Sequence, residues 1–241
     1  VREHLARGGT CVLAEDGRIV IATGTRRSPV VELERVPFTH GGRFGFQVQN
    51  ALAATAAAWA SGLSVSVIAE TLTRFDTNTS LVPGRFNMME LFGREIIVDY
   101  GHNSGAMHAM GQAVGSLELR RTLMVLGLPG DRRNEELVAT ALAAVPFVDE
   151  FVLYDLADLR ERAPGEVPRL LGSELPHETP REYATNEKEA LLAALKTSRP
   201  GDRIILISDI VDQTLEMIEL LQWTEPSATQ PAEDEAGARP V

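Results

Sequence analysis

The sequence predicts an α/β protein built around an open, mostly parallel sheet. After Pro83, short apolar runs alternate with stretches of helical character, which is the pattern of strands separated by helices. The later runs, such as Ile204-Ile205-Leu206-Ile207, are continuously apolar, and strands of that kind are covered on both faces. The 241 residues, of which 44% are hydrophobic and 24% charged, are enough for one large domain or two smaller ones.

The first 82 residues contain the elements of a smaller unit. Cys11-Val12-Leu13-Ala14 and Ile19-Val20-Ile21-Ala22 flank a Glu15-Asp16-Gly17 turn, which predicts a β-hairpin. Residues 29–36 are expected to form a further short strand or a connector. An alanine-rich helix is expected at 47–60, where Ser61-Gly62 ends it, and a second helix at 65–75. The segment 78–83 is typical of a linker, and we expect a domain boundary there.

Strands and helices alternate over residues 83–223, and ligands of such sheets bind beyond the carboxyl ends of the strands. Strands are expected at 86–91, 95–100, 122–126, 150–154 and 203–207. Helices are expected at 105–117, 134–144, 168–171, 187–196 and 213–221. The remaining residues, 224–241, are rich in Pro, Ala and Glu and predict a disordered tail.

The composition argues against several classes of protein and of site. The formal net charge of -11 argues against nonspecific nucleic-acid binding, which needs basic faces. No run approaches the roughly 18 apolar residues of a membrane span. The single Cys11 excludes an intramolecular disulfide and a cysteine-based zinc site, and its apolar surroundings favour a buried structural thiol. The chain starts at Val1 without a secretory pattern or an initiator methionine, which is typical of a processed or excised chain in a cytoplasmic setting.

Polar side chains follow three of the predicted strands, which predicts a site at one edge of the sheet. The first group is Asp99 with His102 and Asn103, the second is Asp131 and Arg132, and the third is Tyr154-Asp155 with Arg160 and Arg162 just beyond. A carboxylate such as Asp99 suits a ribose diol, and guanidinium groups such as Arg85 and Arg132 suit phosphate oxygens. Helix N-termini after Asn103 and Arg133 add backbone N–H groups for an anion.

Each of these residues also has a purely structural interpretation. Arg85 could pair with a surface carboxylate, and Asp131 could cap a helix. His102 could be a satisfied histidine in a turn. Asn50 could bond only to nearby backbone, and Asp202 is interpreted as a turn residue with no role at the site.

The motifs together resemble the Mur ligase superfamily, and within it the C-terminal part of the cyanophycin synthetase family. The most specific pair is Pro83-Gly84-Arg85-Phe86-Asn87 followed by Val98-Asp99-Tyr100-Gly101-His102-Asn103. The resemblance extends over nearly the whole chain up to about residue 221. The supporting segments are Val36-Pro37-Phe38-Thr39, the stretch from Phe46 to Ala54 around Asn50, Gly130-Asp131-Arg132-Arg133, Leu153-Tyr154-Asp155 through Glu166, and Pro200-Gly201-Asp202-Arg203.

The resemblance implies a Rossmann-like C-terminal domain at 83–223, preceded at 1–82 by the incomplete C-terminal portion of the family's central, ATP-binding domain. Members are ATP-dependent amide ligases that activate a carboxylate as an acyl phosphate. By resemblance, Asn50 contacts adenine, Arg85 and Asp99 contact phosphate and ribose, and His102 and Asn103 belong to the same nucleotide-binding face. The resemblance also implies that Asp131, Arg132, Arg160 and Arg162 take part in substrate binding or domain closure.

The resemblance also implies the substrates and partners. The expected ligands of the enzyme are ATP with Mg²⁺, arginine, and the aspartate side chains of a polyaspartate (cyanophycin) chain. The expected partners of this chain are the upstream domains of the same ligase. A homo-oligomer is compatible with this picture, and no nucleic acid or membrane is expected. The choice between arginine and lysine as the added amino acid stays open.

One departure concerns catalysis. Residues 1–241 contain no Gly-x-x-Gly-Lys-Thr/Ser loop for the ATP phosphates, and no Mg²⁺ ligands or catalytic residues are assigned in this chain. We therefore expect the isolated chain to be inactive. Asn103-Ser104 stands where the family often has Asn-Pro, and Gly127-Leu128-Pro129 departs from the expected run of small residues.

Two alternative functions remain. The chain could be a free-standing, non-catalytic nucleotide-binding or scaffolding module. It could also be an unrelated nicotinamide-cofactor domain, but the absence of a Gly-x-Gly-x-x-Gly motif argues against this.

Overall fold

A computed structural model describes residues 1–224, so the predicted tail lies, apart from the last residue of the final helix, outside the described residues. Within this range, none of the helices combines the length and the apolar character that crossing a membrane requires. The helices are α1 (Arg2–Ala6), α2 (Gly45–Ala60), α3 (Val65–Arg74), α4 (Ser104–Val114), α5 (Asn134–Ala144), α6 (Glu166–Glu174), α7 (Glu187–Thr197) and α8 (Val211–Thr224). The strands are β1 (Thr10–Glu15), β2 (Arg18–Thr23), β3 (Arg26–Glu32), β4 (Asn87–Leu91), β5 (Arg94–Asp99), β6 (Thr122–Leu126), β7 (Glu150–Tyr154), β8 (Arg181–Ala184) and β9 (Arg203–Ile207).

The N-terminal part is a three-stranded antiparallel sheet with two helices packed against it. The order is β1-β2-β3, and the hairpin register pairs Glu15 with Arg18 around the two-residue Asp16-Gly17 turn. Ile19, Ala51 and Ile68 bring β2, α2 and α3 into one apolar cluster. Helices α2 and α3 line one wall of the cleft described below.

The C-terminal part is a six-stranded sheet in the order β4-β5-β9-β6-β7-β8. Strands β4 and β5 form an antiparallel pair, and the other pairs in the sheet are parallel. The carboxyl ends of β5, β9, β6 and β7 therefore lie at one edge. The residues that follow these strands at that edge build the site.

Alternate residues of the central strands point into two separate cores, which is why these strands are continuously apolar. Ile205 of β9 packs with the cluster that contains α4, α5 and α6, whereas Ile204 packs with the cluster that contains α7 and α8. Both side chains are fully buried. A sheet covered by helices on both faces is what the apolar runs predict.

The fold class predicted from the sequence is confirmed: the protein is α/β with a mostly parallel six-stranded sheet. Strands β6, β7 and β9 have the predicted bounds, and α6 begins earlier and ends later than the predicted 168–171. Two elements were not predicted, α1 and the edge strand β8. Strand β8 has the polar sequence Arg-Glu-Tyr-Ala and is largely exposed, so it carries little of the apolar signal on which strand prediction depends.

The two parts of the chain meet through aromatic side chains. Phe44, at the start of α2, packs edge-on against Phe86 with ring centroids 4.9 Å apart, and Phe46 lies 5.8 Å from the same ring. The side-chain amide of Asn87 donates to the carbonyls of Thr77 and Val82, which fixes the connecting segment. These contacts set α2 beside the carboxyl edge of the large sheet. The domain boundary at 78–83 stays a prediction.

Candidate functional site

A cleft of about 1150 Å³ lies between α2 and the carboxyl edge of the six-stranded sheet. Its apolar wall includes Phe46, Met110 and Ala139, from α2, α4 and α5. Its polar rim includes seven of the nine residues predicted from the sequence: Asn50, Arg85, Asp99, His102, Asn103, Arg132 and Arg160. A large concave site with an apolar wall and converging polar groups is typical of small-molecule binding.

Asp99 ends β5 and ties the preceding turn to the site. One carboxylate oxygen accepts the backbone N–H of Phe86 at 2.9 Å, and the other accepts that of Gly101 at 2.7 Å. Burial raises the pKa of Asp99, and the two backbone N–H groups oppose this shift. Each oxygen keeps a lone pair, so the carboxylate can hold this structure and still accept hydrogen bonds from a ligand.

The turn before β4 presents Arg85 to the cleft. Gly84 adopts a left-handed φ of +68°, and a side chain there would overlap Val211 of α8. The backbone N–H of Tyr100 donates to the Gly84 carbonyl at 2.9 Å. The exposed guanidinium of Arg85 lies 5.6 Å from the centroid of the Tyr100 ring, and among residues 1–224 it makes no hydrogen bond or salt bridge. Its N–H donors are thus available to an anion.

His102 and Asn103 form the entry to α4. The side chain of Asn103 caps this helix by accepting the backbone N–H of Ala106 at 2.9 Å. The His102 ring packs edge-on against Tyr100, and its Nε2 is buried without a hydrogen-bond partner in the described part of the chain. Burial lowers the pKa of His102, which Asp209 opposes and Arg132 reinforces. Within residues 1–224, this ring nitrogen therefore has unused hydrogen-bonding capacity at a residue that lines the cleft.

Asn50 lies across the cleft on α2. Its side-chain amide donates to the Gln47 side chain at 3.0 Å, one turn earlier in the helix. The carbonyl oxygen of the Asn50 amide remains an acceptor, and the side chain is exposed at the cleft. The adenine contact expected from the resemblance therefore stays a prediction.

Asp131 and Arg162 do not line the cleft and instead hold the loops behind it. Asp131 accepts from Arg160 at 3.1 Å. Arg162 donates to the backbone carbonyls of Gly130 and Arg132, each at 2.9 Å. The loops after β6 and β7 are thereby joined, and Arg132 and Arg160 reach the rim from them.

The sequence interpretation missed Asp209, which lines the cleft two residues after β9. Its carboxylate is 4.0 Å from the Arg160 guanidinium, and its backbone neighbour Ser208 donates to the Asp99 carbonyl at 3.0 Å. The signal was present, because Ser208-Asp209 follows an apolar strand in the same way as the groups that were recognised.

A buried hydrogen-bond network beneath Asp209 was also missed. The hydroxyl of Tyr154 lies 2.8 Å from the Glu187 carboxylate and 2.9 Å from the Ile207 carbonyl, and Thr214 donates to the other oxygen of Glu187. Burial raises the pKa of Glu187, which the donors Thr214 and Tyr154 oppose. Burial and the adjacent Glu187 raise the pKa of Tyr154 well above its ordinary value. The network joins β7, α7 and α8 at the edge that carries the site.

Comparison with known protein families assigns the C-terminal part of the chain to a family. Residues 84–209, which contain the sheet edge and its loops, match the family model described as Mur ligase, glutamate ligase domain. The chain belongs to the Mur ligase family.

Curated relatives extend the match over most of the chain. Cyanophycin synthetase of Trichormus variabilis is 29% identical over 239 residues, which is 95% of this chain and 26% of that protein. The Synechocystis enzyme of the same name is 31% identical over 91% of this chain and 25% of its own length. The UDP-N-acetylmuramoyl-L-alanyl-D-glutamate--2,6-diaminopimelate ligase of Geobacillus thermodenitrificans is 32% identical over 72% of this Mur ligase chain and 35% of its own. The chain spans about a quarter of the length of the cyanophycin synthetases.

Solved structures share the fold. Escherichia coli FolC in complex with DHPP and ADP has a TM-score of 0.64 at 21% identity, over 87% of this chain and 45% of that one. Mycobacterium tuberculosis folylpolyglutamate synthase complexed with ADP has a TM-score of 0.65 at 16% identity, over 87% of this chain and 46% of that one. At these identities the likeness shows the fold alone.

The residues present fit a nucleotide better than they fit a metal ion. Among residues 1–224, the guanidinium groups of Arg85 and Arg132 make no hydrogen bond or salt bridge, so their N–H donors are suited to phosphate oxygens. Across residues 1–224, no group of three or more His, Cys, Asp or Glu side chains has the arrangement to hold a metal ion.

Proposed function

We propose that the cleft binds the nucleotide of an ATP-dependent amide ligase of the cyanophycin synthetase type. The observation that carries the proposal is the convergence of Arg85, Asp99 and His102 on one rim. Among residues 1–224, the Arg85 guanidinium makes no hydrogen bond or salt bridge, the Asp99 carboxylate keeps spare acceptor capacity, and the His102 Nε2 has no hydrogen-bond partner. Guanidinium groups bind phosphate, and carboxylates bind ribose hydroxyls. Two of the solved structures that share the fold contain ADP, which supports the choice of ligand.

In the proposed reaction, an aspartate side-chain carboxylate of a polyaspartate chain takes the γ-phosphoryl group of ATP, so that an acyl phosphate forms and ADP leaves. The α-amine of arginine then attacks the acyl phosphate, so that an amide forms and phosphate leaves. Residues 83–223 would act as the closing domain, which contacts the nucleotide and excludes water from the reactive intermediate. Residues 1–82 would be the end of the central domain, and a phosphate loop with its Mg²⁺ site would come from elsewhere in the enzyme.

The amino-acid substrate needs acceptors for its cationic side chain. A second cavity, of about 510 Å³, adjoins the cleft at Asp209 and is lined by Asp155 and Glu187 among others. Carboxylates bind guanidinium groups in a planar, two-point geometry. This lining supports a cationic amino acid as the substrate. Measuring the affinity of the complete ligase for arginine and for lysine would decide between the two.

A thermal-shift experiment tests nucleotide binding by this chain. Because a ligand present at 100 times its dissociation constant stabilises a folded protein by about 2.7 kcal/mol, ADP and ATP should raise the melting temperature. Arg85→Ala should reduce the shift, and the control Arg18→Ala should not, because Arg18 pairs with Glu32 on the small sheet. The absence of a shift at millimolar nucleotide would contradict the proposal.

A second experiment separates the ligase from the free-standing, non-catalytic module. The isolated 241-residue chain should release no phosphate in the presence of ATP, Mg²⁺ and arginine, because it has no phosphate loop. An immunoblot of source cells should detect a polypeptide several times larger than 26.2 kDa. Arginine-dependent phosphate release would contradict the first expectation, and a band at 26.2 kDa would favour the module.

A further inference from the structure

Three consecutive residues after β6 are held by side chains from the loop after β7. Arg162 donates through Nε to the Gly130 carbonyl and through a terminal nitrogen to the Arg132 carbonyl, each at 2.9 Å. Its other terminal nitrogen donates to Glu166 at 2.7 Å. Asp131, between the two carbonyls, accepts from Arg160 at 3.1 Å. We call Arg162, Glu166 and the Gly130 and Arg132 carbonyls the Arg162 latch.

The two loops are fitted closely to one another. A side chain at Gly130 would overlap the backbone carbonyl of Leu159, so the contact requires glycine. Arg160 and Glu161 both adopt left-handed φ values, of +50° and +68°, which are costly for residues with side chains. Strain of this kind persists only where surrounding contacts fix the conformation. The latch supplies such contacts.

Arg132 lines the cleft while its own carbonyl is held from behind. Among residues 1–224, its guanidinium makes no hydrogen bond or salt bridge, and its charge acts on His102 and on Glu136, which line the same cleft. We infer that Arg162 is a positioning residue that fixes the backbone of Arg132, so that the Arg132 guanidinium is held at the rim for a nucleotide phosphate. This inference rests on the proposed function, because it takes the ligand from it.

A double-mutant cycle with ADP and adenosine tests the inference. Arg132→Ala should weaken ADP binding about tenfold, the size of one charge-assisted hydrogen bond, and should leave adenosine binding unchanged. Arg162→Gln should weaken ADP binding by a similar factor. The double variant should bind ADP no more weakly than Arg132→Ala alone, because Arg162 acts through Arg132. All affinities are measured below each variant's unfolding transition.

Two further variants keep the test decisive if Arg162→Gln folds poorly. Arg162→Lys retains the charge but cannot donate to both carbonyls in a planar fork, so it should bind ADP as weakly as Arg162→Gln. Arg18→Gln, which breaks an exposed arginine–glutamate pair on the small sheet, should bind like the wild type.

The outcomes separate the latch from the nucleotide site. If the wild type binds ADP but the Arg162 and Arg132 effects add, if adenosine binding falls as much as ADP binding, or if Arg162→Lys binds like the wild type, the latch inference is wrong and the proposed function stands. If the wild type binds neither ADP nor adenosine, the proposed function fails and this inference fails with it.

Discussion

Replacing Asp99 with alanine removes the carboxylate that joins the turn before β4 to the end of β5. The backbone N–H groups of Phe86 and Gly101 lose their acceptors, and both residues are buried. A buried donor without an acceptor costs about 1–3 kcal/mol, so the two together cost about 2–6 kcal/mol. The raised pKa shows that burial of the carboxylate is itself unfavourable, and alanine relieves this cost. We therefore expect a loss of about 2–4 kcal/mol in the free energy of unfolding.

Urea denaturation followed by circular dichroism measures this loss. Asp99→Asn is the matched control, because the amide keeps one acceptor oxygen and should lose about half as much. At temperatures where both variants are folded, Asp99→Ala should also weaken ADP binding at least about tenfold through the lost ribose acceptor. A stability within about 0.5 kcal/mol of the wild type would refute the structural argument. Wild-type affinity for ADP would refute the ribose contact.

Three more changes test other parts of the site. Since burial lowers the pKa of His102 below its ordinary 6.5, the folded chain binds fewer protons than the unfolded chain, and stability should fall as the pH drops below 6.5. His102→Gln should reduce this dependence, as measured by urea titrations at about pH 5.5 and about pH 7.5. Tyr154→Phe removes a hydroxyl donor from the buried network and should cost about 1–3 kcal/mol in the same assay; no loss would contradict the role of the network. Gly84→Ala should cost about 1–3 kcal/mol in thermal unfolding because of its left-handed φ and the overlap with Val211. The control Gly45→Ala, at the start of α2 and facing open space, should be neutral or slightly stabilising.

The sequence predicted the central sheet well because its strands are buried on both faces. In β6, β7 and β9 nearly every residue is apolar, so the run itself marks the bounds of the strand. The edge strand β8 and the short helix α1 depend on contacts made after folding, and their residues are mostly polar and exposed. Local pattern is a weak signal for such elements.

The sequence predicted where polar side chains gather at the sheet edge, but only part of the contacts that these side chains make. The rule that ligands bind beyond the carboxyl ends of parallel strands identified the groups around Asp99, Asp131 and Arg160. Asp209 obeys the same rule and was missed, because Ser208-Asp209 lies outside every motif that carries the resemblance. The pairing of Tyr154 with Glu187 joins residues 33 positions apart, and nothing in the local sequence indicates it.

The four arginines at this edge differ in what their guanidinium groups already contact. Arg160 and Arg162 donate to Asp131, to Glu166 and to backbone carbonyls, so removing either one should first reduce folding stability. Arg85 and Arg132 make no hydrogen bond or salt bridge among residues 1–224, so removing either one should reduce affinity for an anion at little cost to folding. A guanidinium has five N–H donors, and a satisfied one must give up protein acceptors before it binds a ligand. Paired measurements of unfolding and ADP binding therefore distinguish arginines that bind the ligand from arginines that hold the site together.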